Sequence, residues 1–389
     1  MVTNFPKKFL SLVGVSIILY GIWWYVYLDS STAFVLNRPS ILHVPVSVAT
    51  TLQSMLNTTT KRTTASIPAT TPNSFDVFHE MQDFIASIPR RPEAKVFANI
   101  SNILSHQWKH NEARSKYFKL KFETETNMST SQHIMLTQEN TPLDSLIETV
   151  ISSSTVKTTK AIFDMLPKTS LLSSTPYETC SVVGSGGILA GSKCGQLIDS
   201  MDFVFRFNLA PTNGYEQDVG NRTNLTTMNP SIHRGEFGNL KTSEQVTNFT
   251  RILSGQKGFV WTPAFGFKGY YKDSLKAIQK ANGSNPNLTF ILEGTKHFKA
   301  SQIFWKQYGM KKMPSTGFYI VNCALSLCKN VHIFGFWPLK KTLDGRIAPY
   351  HYYNEVVGKA HDFSTELKWI LTMHHYGLLK LHVGNCTDG

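Results

Sequence analysis

The chain has 389 residues, of which 41% are hydrophobic, and this is enough for a sizeable core, so wholesale disorder is excluded. The length predicts two domains, or one large domain with accessory segments. The formal net charge of +13 favours acidic partners such as phosphates, acidic sugars, an anionic membrane or nucleic acid.

The first predicted element is the apolar segment 9–28, which contains no charged residue. A bilayer is crossed by about 20 apolar residues, whereas the apolar core of a cleaved signal peptide has about 7–15. We therefore predict a transmembrane signal anchor, with a signal peptide or a buried core helix as the alternatives. Because Lys7 and Lys8 precede the segment, the positive-inside rule assigns residues 1–8 to the cytoplasm and the rest to a lumen. The sequence thus predicts a single-pass type II membrane protein.

Nine N-x-Ser/Thr triplets follow this segment, as expected of a protein that enters the secretory pathway. Asn221 and Asn224 fall within one motif and are expected to be buried and unused, and Asn385 lies near the end of the chain. The candidate glycosylation sites are the other six, namely Asn57, Asn99, Asn127, Asn248, Asn282 and Asn287.

Composition divides the rest of the chain into three parts. Residues 29–75 are rich in Thr, Ser and Pro, which predicts an extended, O-glycosylated stem. Residues 76–160 form a predicted N-terminal helical part, because apolar residues recur three or four apart as far as Glu123. The stretch 124–160 is again rich in Thr and Ser, and we expect a loop or an ordered surface insertion there. The compact α/β pattern begins near Phe163 and gives a predicted core of 161–389.

The first informative segment of that core covers residues 180–231. It predicts a buried strand at Ser181–Val183, a glycine turn, a helix over Ile188–Ser200 and a second strand at Asp202–Phe207. This order is a βαβ unit of a parallel sheet. A glycine turn before a helix lets an anion approach the backbone, although Leu189 breaks the G-x-G-x-x-G pattern. A simple packing turn therefore stays an equal alternative.

The second informative segment covers residues 314–338. Ser315 or Thr316 is a predicted helix cap, followed by a buried helix over Phe318–Cys328 and a buried strand over Val331–Phe336. Loops that follow parallel strands are where α/β folds bind ligands. Ser315, Thr316 and Trp337 are therefore candidate pocket residues.

Two histidine segments follow, HYYNE at 351–355 and HDFSTE at 361–366. Histidine has a pKa suited to general-base catalysis near neutral pH, and a structural role is the alternative. A zinc site is a competing interpretation for His351, His361, His374 and His375. Since no cysteine pair and no H-E-x-x-H accompany them, we predict no metal site.

These four segments resemble the large, small, third and very-small motifs of animal sialyltransferases, in the order and at the spacing of that family. The stretches YETCSVVG, DVGNRTNLTTMNPS and NVHIFGFWP are most similar to the α-2,8-sialyltransferase branch. The resemblance covers 163–389 well and 75–160 only loosely. It implies one Rossmann-like α/β domain of the GT-A-variant type, with a mostly parallel sheet flanked by helices. It also implies a Golgi membrane enzyme whose catalytic domain is luminal.

The resemblance further implies transfer of sialic acid from CMP-sialic acid to an acceptor hydroxyl, with inversion at the anomeric carbon. By motif position, His361 would be the general base, His351 would stabilise the departing phosphate, and Glu366 would orient the structure. An α-2,8 linkage implies a sialylated glycoprotein or glycolipid acceptor. In the branch that the chain resembles, polymerising members carry a dense basic stretch just before the large motif. Residues 150–179 hold only Lys157, Lys160 and Lys168, so the resemblance implies mono- or oligosialylation. The implied substrate-binding residues are Ser185, Asn208, Asn229, Ser315, Thr316, Gly317 and Trp337.

No Asp-x-Asp sequence is present and CMP is a good leaving group, so we expect no metal and no cofactor besides the donor substrate. The membrane is an expected partner, nucleic acid is not, and a homodimer is compatible with the sequence. The family commonly has Asn at Ser185, an acidic residue at Asn354 and, in this branch, cysteine at Phe207. These departures leave two alternatives open, an α-2,3 or α-2,6 linkage and a catalytically weak Golgi protein that binds sialoglycans.

Five cysteines fit an oxidising compartment, and two bridges among them allow about 15 arrangements. The family resemblance implies the pairs Cys180–Cys328 and Cys194–Cys386. It leaves Cys323 free and buried.

Overall fold

The computed structural model describes residues 77–89, 93–152, 154–355 and 361–387. These residues belong to one compact unit, Asn73–Gly389. The predicted anchor 9–28, the predicted stem 29–75 and the candidate site Asn57 lie outside the described residues. Within the described ranges, no helix combines the length and the apolar character needed to span a membrane.

A seven-stranded sheet in which all neighbouring strands are parallel forms the centre of this unit, in the order β7-β6-β5-β4-β3-β8-β9. The predicted α/β class with a mostly parallel sheet is thereby confirmed. Two further strands, β1 and β2, form a separate antiparallel pair. The strands are β1 Leu146–Glu148, β2 Thr155–Lys157, β3 Tyr177–Val183, β4 Phe203–Arg206, β5 Leu225–Thr227, β6 Gly258–Thr262, β7 Leu288–Leu292, β8 Cys328–Phe334 and β9 Lys380–His382.

Helices connect the strands and pack against the sheet. The α-helices are α1 Val77–Ser87, α2 Glu93–Ser105, α3 Glu112–Thr126, α4 Thr130–His133, α5 Lys160–Phe163, α6 Gly195–Asp199, α7 Glu216–Val219, α8 Ser243–Ser254, α9 Tyr271–Ala281, α10 Thr295–Gln307, α11 Thr316–Leu327 and α12 Phe363–His375. Single 3₁₀ turns occur at Gly187–Leu189 and Gly238–Leu240, and one π-helical turn occurs at Ile232–Glu236.

The N-terminal helices share the main hydrophobic core, as their helical spacing predicts. Phe78 of α1 stacks on Phe118 of α3 at 5.5 Å between ring centroids. Phe122 of α3 lies edge-on to Phe304 of α10 at 5.0 Å. Aromatic burial of this kind contributes on the order of 2–3 kcal/mol per side chain, which explains how α1 and α3 are held against α10.

The Ser/Thr-rich stretch 124–160 is more ordered than its composition suggests, because it holds α4 and the β1–β2 pair. Ile134 and Met135 are fully buried. The Ile134 carbonyl accepts hydrogen bonds from the indole N–H of Trp261 and from the backbone N–H of Gly294, both at 2.9 Å. Long-range hydrogen bonds therefore order a stretch in which local periodicity is weak.

The predicted helix over Ile188–Ser200 is wrong. Only the 3₁₀ turn and the five-residue α6 are helical there. Gly191 and Lys193 have positive φ angles, and their backbone N–H groups donate to the carboxylate of Asp218 at 2.7 and 2.9 Å. The acceptor for these groups lies far along the chain, so a side chain from another element replaces the intrahelical hydrogen bonds.

The second informative segment folds close to its prediction. Helix α11 begins at Thr316, and Ser315 is its N-cap, with the hydroxyl oxygen accepting from the backbone N–H of Phe318 at 3.1 Å. Strand β8 begins at Cys328, three residues earlier than expected. The structure contains both implied disulfides, Cys180–Cys328 and Cys194–Cys386. Cys323 is free and buried.

The sequons differ in accessibility. Asn221 is exposed, so the expectation that it is buried is wrong. The reason is that its backbone N–H, rather than its side chain, is bound by Asp199 at 2.8 Å. Asn224 is half-buried, and its side-chain oxygen accepts from Val204 at 2.9 Å. Among the six candidates, Asn127, Asn282 and Asn287 are exposed, whereas Asn99 and Asn248 are half-buried within helices.

Candidate active site

The carboxyl ends of β3 and β8 meet at the point where the strand order reverses, which is where doubly wound sheets open a crevice. The backbone N–H of Gly184 donates to Phe334 O at 2.7 Å, and that of Gly186 donates to Gly335 O at 3.0 Å. A Cβ atom at Gly186 would collide with the carbonyl oxygen of Gly335. The two glycine loops therefore touch backbone to backbone at this edge of the sheet.

A cavity of about 220 Å³ lies at this edge. Besides the predicted residues, it is lined by Phe336, Tyr350 and Phe363, which the sequence reasoning missed. The sequence did hold a signal for them, because each ring is close in sequence to a motif residue. Phe336 precedes Trp337, Tyr350 precedes His351, and Phe363 lies two residues after His361. Nine residues proposed from the sequence all line this cavity: Ser185, Asn208, Asn229, Ser315, Thr316, Gly317, Trp337, His351 and His361.

Two asparagines connect the ends of β4, β5 and α11. The side-chain oxygen of Asn208 accepts from the backbone N–H of Asn229 at 3.1 Å, and the backbone N–H of Asn208 donates to the Thr227 hydroxyl at 3.1 Å. The Thr316 hydroxyl donates to the side-chain oxygen of Asn229 at 3.3 Å. Asn208 itself has a φ of 54°, a conformation that Asn tolerates better than most residues. Since the two carboxamide oxygens accept from the protein, the amide NH₂ groups are the part that can donate to a ligand.

The N-terminus of α11 faces the cavity and is fixed by Glu366. The Glu366 carboxyl accepts from the backbone N–H of Ser315 at 2.6 Å and from its hydroxyl at 2.7 Å. Burial raises the pKa of Glu366 to about 7, although the Ser315 hydrogen bonds oppose that rise. Because the first N–H groups of a helix have no internal acceptor, Thr316 and Gly317 present donors and a positive dipole end to the cavity.

His361 is oriented by a backbone carbonyl. Its Nδ1 lies 3.1 Å from Met313 O, and since a carbonyl only accepts, Nδ1 carries the proton of the neutral ring. The lone pair is then on Nε2. Burial lowers the pKa of His361, and the nearby charge of Lys312 lowers it further. The neutral, proton-accepting form is therefore the dominant one at pH 7.

His351 is held by a short turn. Its Nδ1 lies 2.6 Å from the side-chain oxygen of Asn354, and its backbone N–H donates to Asn354 O at 3.0 Å. The imidazole stacks on Tyr353 with ring centroids 5.1 Å apart and an angle of 8°. The backbone N–H of Tyr352 donates to Ser185 O at 2.9 Å, which ties this turn to the glycine loop after β3.

Aromatic side chains close the cavity. Trp337 is 5% exposed and its indole N–H donates to Lys341 O at 2.8 Å, so it offers a ligand an apolar surface rather than a donor. Phe207 lies edge-on to Phe336 at 5.8 Å between ring centroids.

The zinc alternative required three or more ligating side chains together, and the part of the chain that the structure describes holds no such group.

Residues 122–378 match the family model described as glycosyltransferase family 29 (sialyltransferase). The chain belongs to this family. It is 35% identical over 292 residues to alpha-2,8-sialyltransferase 8F of Pan troglodytes, covering 74% of this chain and 73% of that one. It is 38% identical over 216 residues to the alpha-N-acetylneuraminide alpha-2,8-sialyltransferase of Xenopus tropicalis, covering 54% of this chain and 62% of that one. A crystal structure of a mammalian sialyltransferase matches at 17% identity and a TM-score of 0.41, covering 81% of this chain and 96% of that chain.

Family membership agrees with the resemblance read from the four motifs. In this sialyltransferase, the proposed site residues of those motifs run from Ser185 to His361, 176 positions apart, yet they line one cavity at the β3–β8 junction. The fold thus brings residues of all four motifs to the wall of one cavity.

Proposed function

We propose that this sialyltransferase moves sialic acid from CMP-sialic acid to a hydroxyl of a sialylated glycoprotein or glycolipid, forms an α-2,8 linkage and uses no metal. The observation that carries the proposal is the shared cavity, in which an oriented histidine base faces a helix N-terminus that favours an anion. CMP-sialic acid carries a phosphate and a carboxylate, and both anions are favoured by the positive end of a helix and by neutral hydrogen-bond donors.

Donor binding follows from the groups that remain unused. The amide NH₂ groups of Asn208 and Asn229 can donate to the nucleotide. The N–H groups of Thr316 and Gly317 can meet the phosphate or the sugar carboxylate at the positive end of α11. Trp337 gives an apolar wall, and Ser185 adds a hydroxyl beside the glycine turn.

The reaction is a single displacement at the anomeric carbon. The acceptor oxygen forms the new C–O bond while the bond from the anomeric carbon to the phosphate oxygen breaks, and CMP leaves with the electron pair. His361 takes the acceptor proton at Nε2, since Nδ1 already donates to Met313 O. His351, from the HYYNE segment, stabilises the departing phosphate. One displacement inverts the configuration, and positioning together with a base can supply much of the rate.

Metal independence is proposed from the chemistry of the donor set. Metal-dependent glycosyltransferases hold a cation with an Asp-x-Asp sequence, and this chain has none. A nucleoside monophosphate is a good leaving group, and the charge that develops on it can be stabilised by the α11 N-terminus and by His351.

The α-2,8 linkage is supported by the names of the two curated relatives, both of which are called α-2,8-sialyltransferases. The sparse basic residues of 150–179 favour short products over polymers.

A single-pass type II location in the Golgi membrane, with the site in the lumen, is proposed from the apolar segment 9–28 and from the sequons. Sensitivity of the intact chain to endoglycosidase, with protection from protease in sealed vesicles, would support it, and cytosolic protease access would contradict it.

The central test is a transfer assay on the full chain with labelled CMP-sialic acid in the presence of EDTA. Sialylated and asialo acceptors are compared, with His361→Ala as the test variant and His106→Ala, an exposed histidine, as the matched control. We expect transfer to sialylated acceptors only, unaffected by EDTA, lost at least 100-fold in His361→Ala and retained in His106→Ala. Transfer to asialo acceptors would contradict the α-2,8 linkage and favour an α-2,3 or α-2,6 linkage. Binding of CMP without any transfer would favour a sialoglycan-binding protein.

A further inference from the structure

An exposed sequon borders a groove beside the proposed donor cavity. The groove has a volume of about 690 Å³ and shares Asn208 with the cavity. Asn221, the first residue of an Asn-Arg-Thr sequon, is exposed and lines this groove. The fold therefore brings an acceptor site for N-glycosylation next to the place where the donor is proposed to bind.

The backbone of this sequon is held in place, whereas the side chain of Asn221 is not. The Asp199 carboxylate accepts from the backbone N–H groups of Asn221 and Arg222 at 2.8 and 2.9 Å. The Thr223 hydroxyl oxygen accepts from Nε of Arg206 at 3.1 Å. Among the residues that the structure describes, the Asn221 carboxamide has no hydrogen-bond partner. Its amide nitrogen is therefore available, and a substituent on it breaks no contact of the fold.

The second sequon of this motif, which begins at Asn224, differs in this respect. Asn224 directly precedes β5, and its side-chain oxygen accepts from the backbone N–H of Val204 in β4 at 2.9 Å. Its backbone N–H donates to Val204 O at 2.9 Å, and its carbonyl accepts from Phe259 of β6 at 2.8 Å. A glycan on this half-buried carboxamide would disturb the start of three strands. The folded chain thus accommodates a glycan at Asn221 but not three residues later.

Three parts of the fold line the groove. They are the loop 208–213 after β4, the end of α8 with the residues up to 256, and the HYYNE turn at Tyr353 and Asn354. The Tyr352 hydroxyl donates to Pro211 O at 2.7 Å, which ties the loop after β4 to the HYYNE turn. Since Asn208 belongs to both recesses, a ligand that fills the donor cavity and the groove would lie beside Asn221.

We propose that Asn221 is N-glycosylated and that its glycan narrows the groove, so that short sialylated oligosaccharides are favoured as acceptors over sialylated glycoproteins. In the modification, the Asn221 amide nitrogen bonds to the first sugar of a lipid-linked oligosaccharide. The bond from that sugar to the lipid diphosphate breaks, the diphosphate leaves with the electron pair, and the amide loses one proton. The inference rests on the proposed function, because the modification requires the luminal location and the size limit requires sialyl transfer.

The first test measures occupancy of the sequon in the full chain made in cells with a secretory pathway. Peptide N-glycosidase in ¹⁸O-labelled water converts a glycosylated Asn to a labelled Asp, and mass spectrometry of tryptic peptides locates the label. Cleavage after Arg222 separates the two sequons, since Asn221 falls in peptide 207–222 and Asn224 in peptide 223–234. We expect label in the first peptide and none in the second.

Two variants control this result. Asn221→Gln removes the sequon, whereas Thr223→Ser keeps both the sequon and the hydroxyl that accepts from Arg206. We expect the label in peptide 207–222 to be lost in the first variant and retained in the second.

The second test compares KM values for a short sialylated oligosaccharide and for a sialylated glycoprotein. In Asn221→Gln we expect the KM for the glycoprotein to fall by about twofold or more, because a steric obstacle is removed, while the KM for the oligosaccharide is unchanged. Thr223→Ser should behave as wild type with both acceptors. An unchanged KM for the glycoprotein in Asn221→Gln would overturn the size limit.

The occupancy result separates this inference from the proposed function. Label in other sequon peptides but none in peptide 207–222 would overturn the inference and leave the luminal location intact. Absence of label from every sequon peptide would show that the luminal location is wrong, and the inference would fall with it. If the wild type transferred sialic acid to neither acceptor, the proposed transfer and the size limit would both be wrong, whatever the occupancy of Asn221.

Discussion

The contact between Glu366 and Ser315 gives the sharpest quantitative prediction. Glu366 is 5% exposed, and its folded-state pKa of about 7 lies well above the ordinary value of 4.5. The folded protein therefore keeps a proton on this carboxyl over a pH range in which the unfolded chain has released it. A raised folded-state pKa means stability that is fully present below pH 4.5 and is lost as the pH rises towards 7.

The perturbation is Glu366→Gln, which copies the neutral carboxyl in shape. A glutamine oxygen can accept from the Ser315 backbone N–H, and its NH₂ can donate to the Ser315 hydroxyl oxygen. The substitution therefore preserves the contact at low pH and removes the ionisation at high pH. At 1.36 kcal/mol per pKa unit, the pKa difference between folded and unfolded states corresponds to about 3 kcal/mol.

The assay is denaturant unfolding of the full chain at pH 5, 6, 7 and 8, with the exposed substitution Glu244→Gln as the control. We expect wild type and Glu366→Gln to agree within about 1 kcal/mol at pH 5. At pH 8 the variant should be the more stable by about 2–3 kcal/mol. Equal stability at every pH, or a wild type that gains on the variant as the pH rises, would show that Glu366 is ionised in the folded state and would refute this reasoning.

Three further predictions follow from the same site. Gly186→Ala puts a methyl group against the Gly335 carbonyl, so transfer activity should fall at least tenfold. The control is Gly269→Ala, whose methyl group meets open space and should leave the activity unchanged. Cys328→Ser breaks the bridge between β3 and β8, and the free energy of unfolding should drop by about 2–5 kcal/mol; no drop would show that the bridge adds nothing. Because burial lowers the pKa of His361, the acid limb of kcat/KM should lie below pH 6.5, and a limb above it would argue against a buried base.

Much of the fold could be predicted from the sequence because the relevant signals are local. The buried strand before Gly184, the Ser315 cap and the apolar run of α11 are patterns of neighbouring residues. All three are present in the structure, although the strand begins at Tyr177, four residues before the predicted Ser181. The nine site residues could be selected because four motifs identified the family, while their convergence on one cavity is visible only in the tertiary structure.

What the sequence could not provide depends on partners that lie far along the chain. The stretch Ile188–Ser200 has helical periodicity, but Asp218 binds two of its backbone N–H groups and bends it away from a helix. In the same way, Ile134 is ordered by hydrogen bonds from the remote residues Trp261 and Gly294. Periodicity reports which face of an element is apolar, whereas the satisfaction of polar groups by remote residues is decided only when the chain topology brings those residues together.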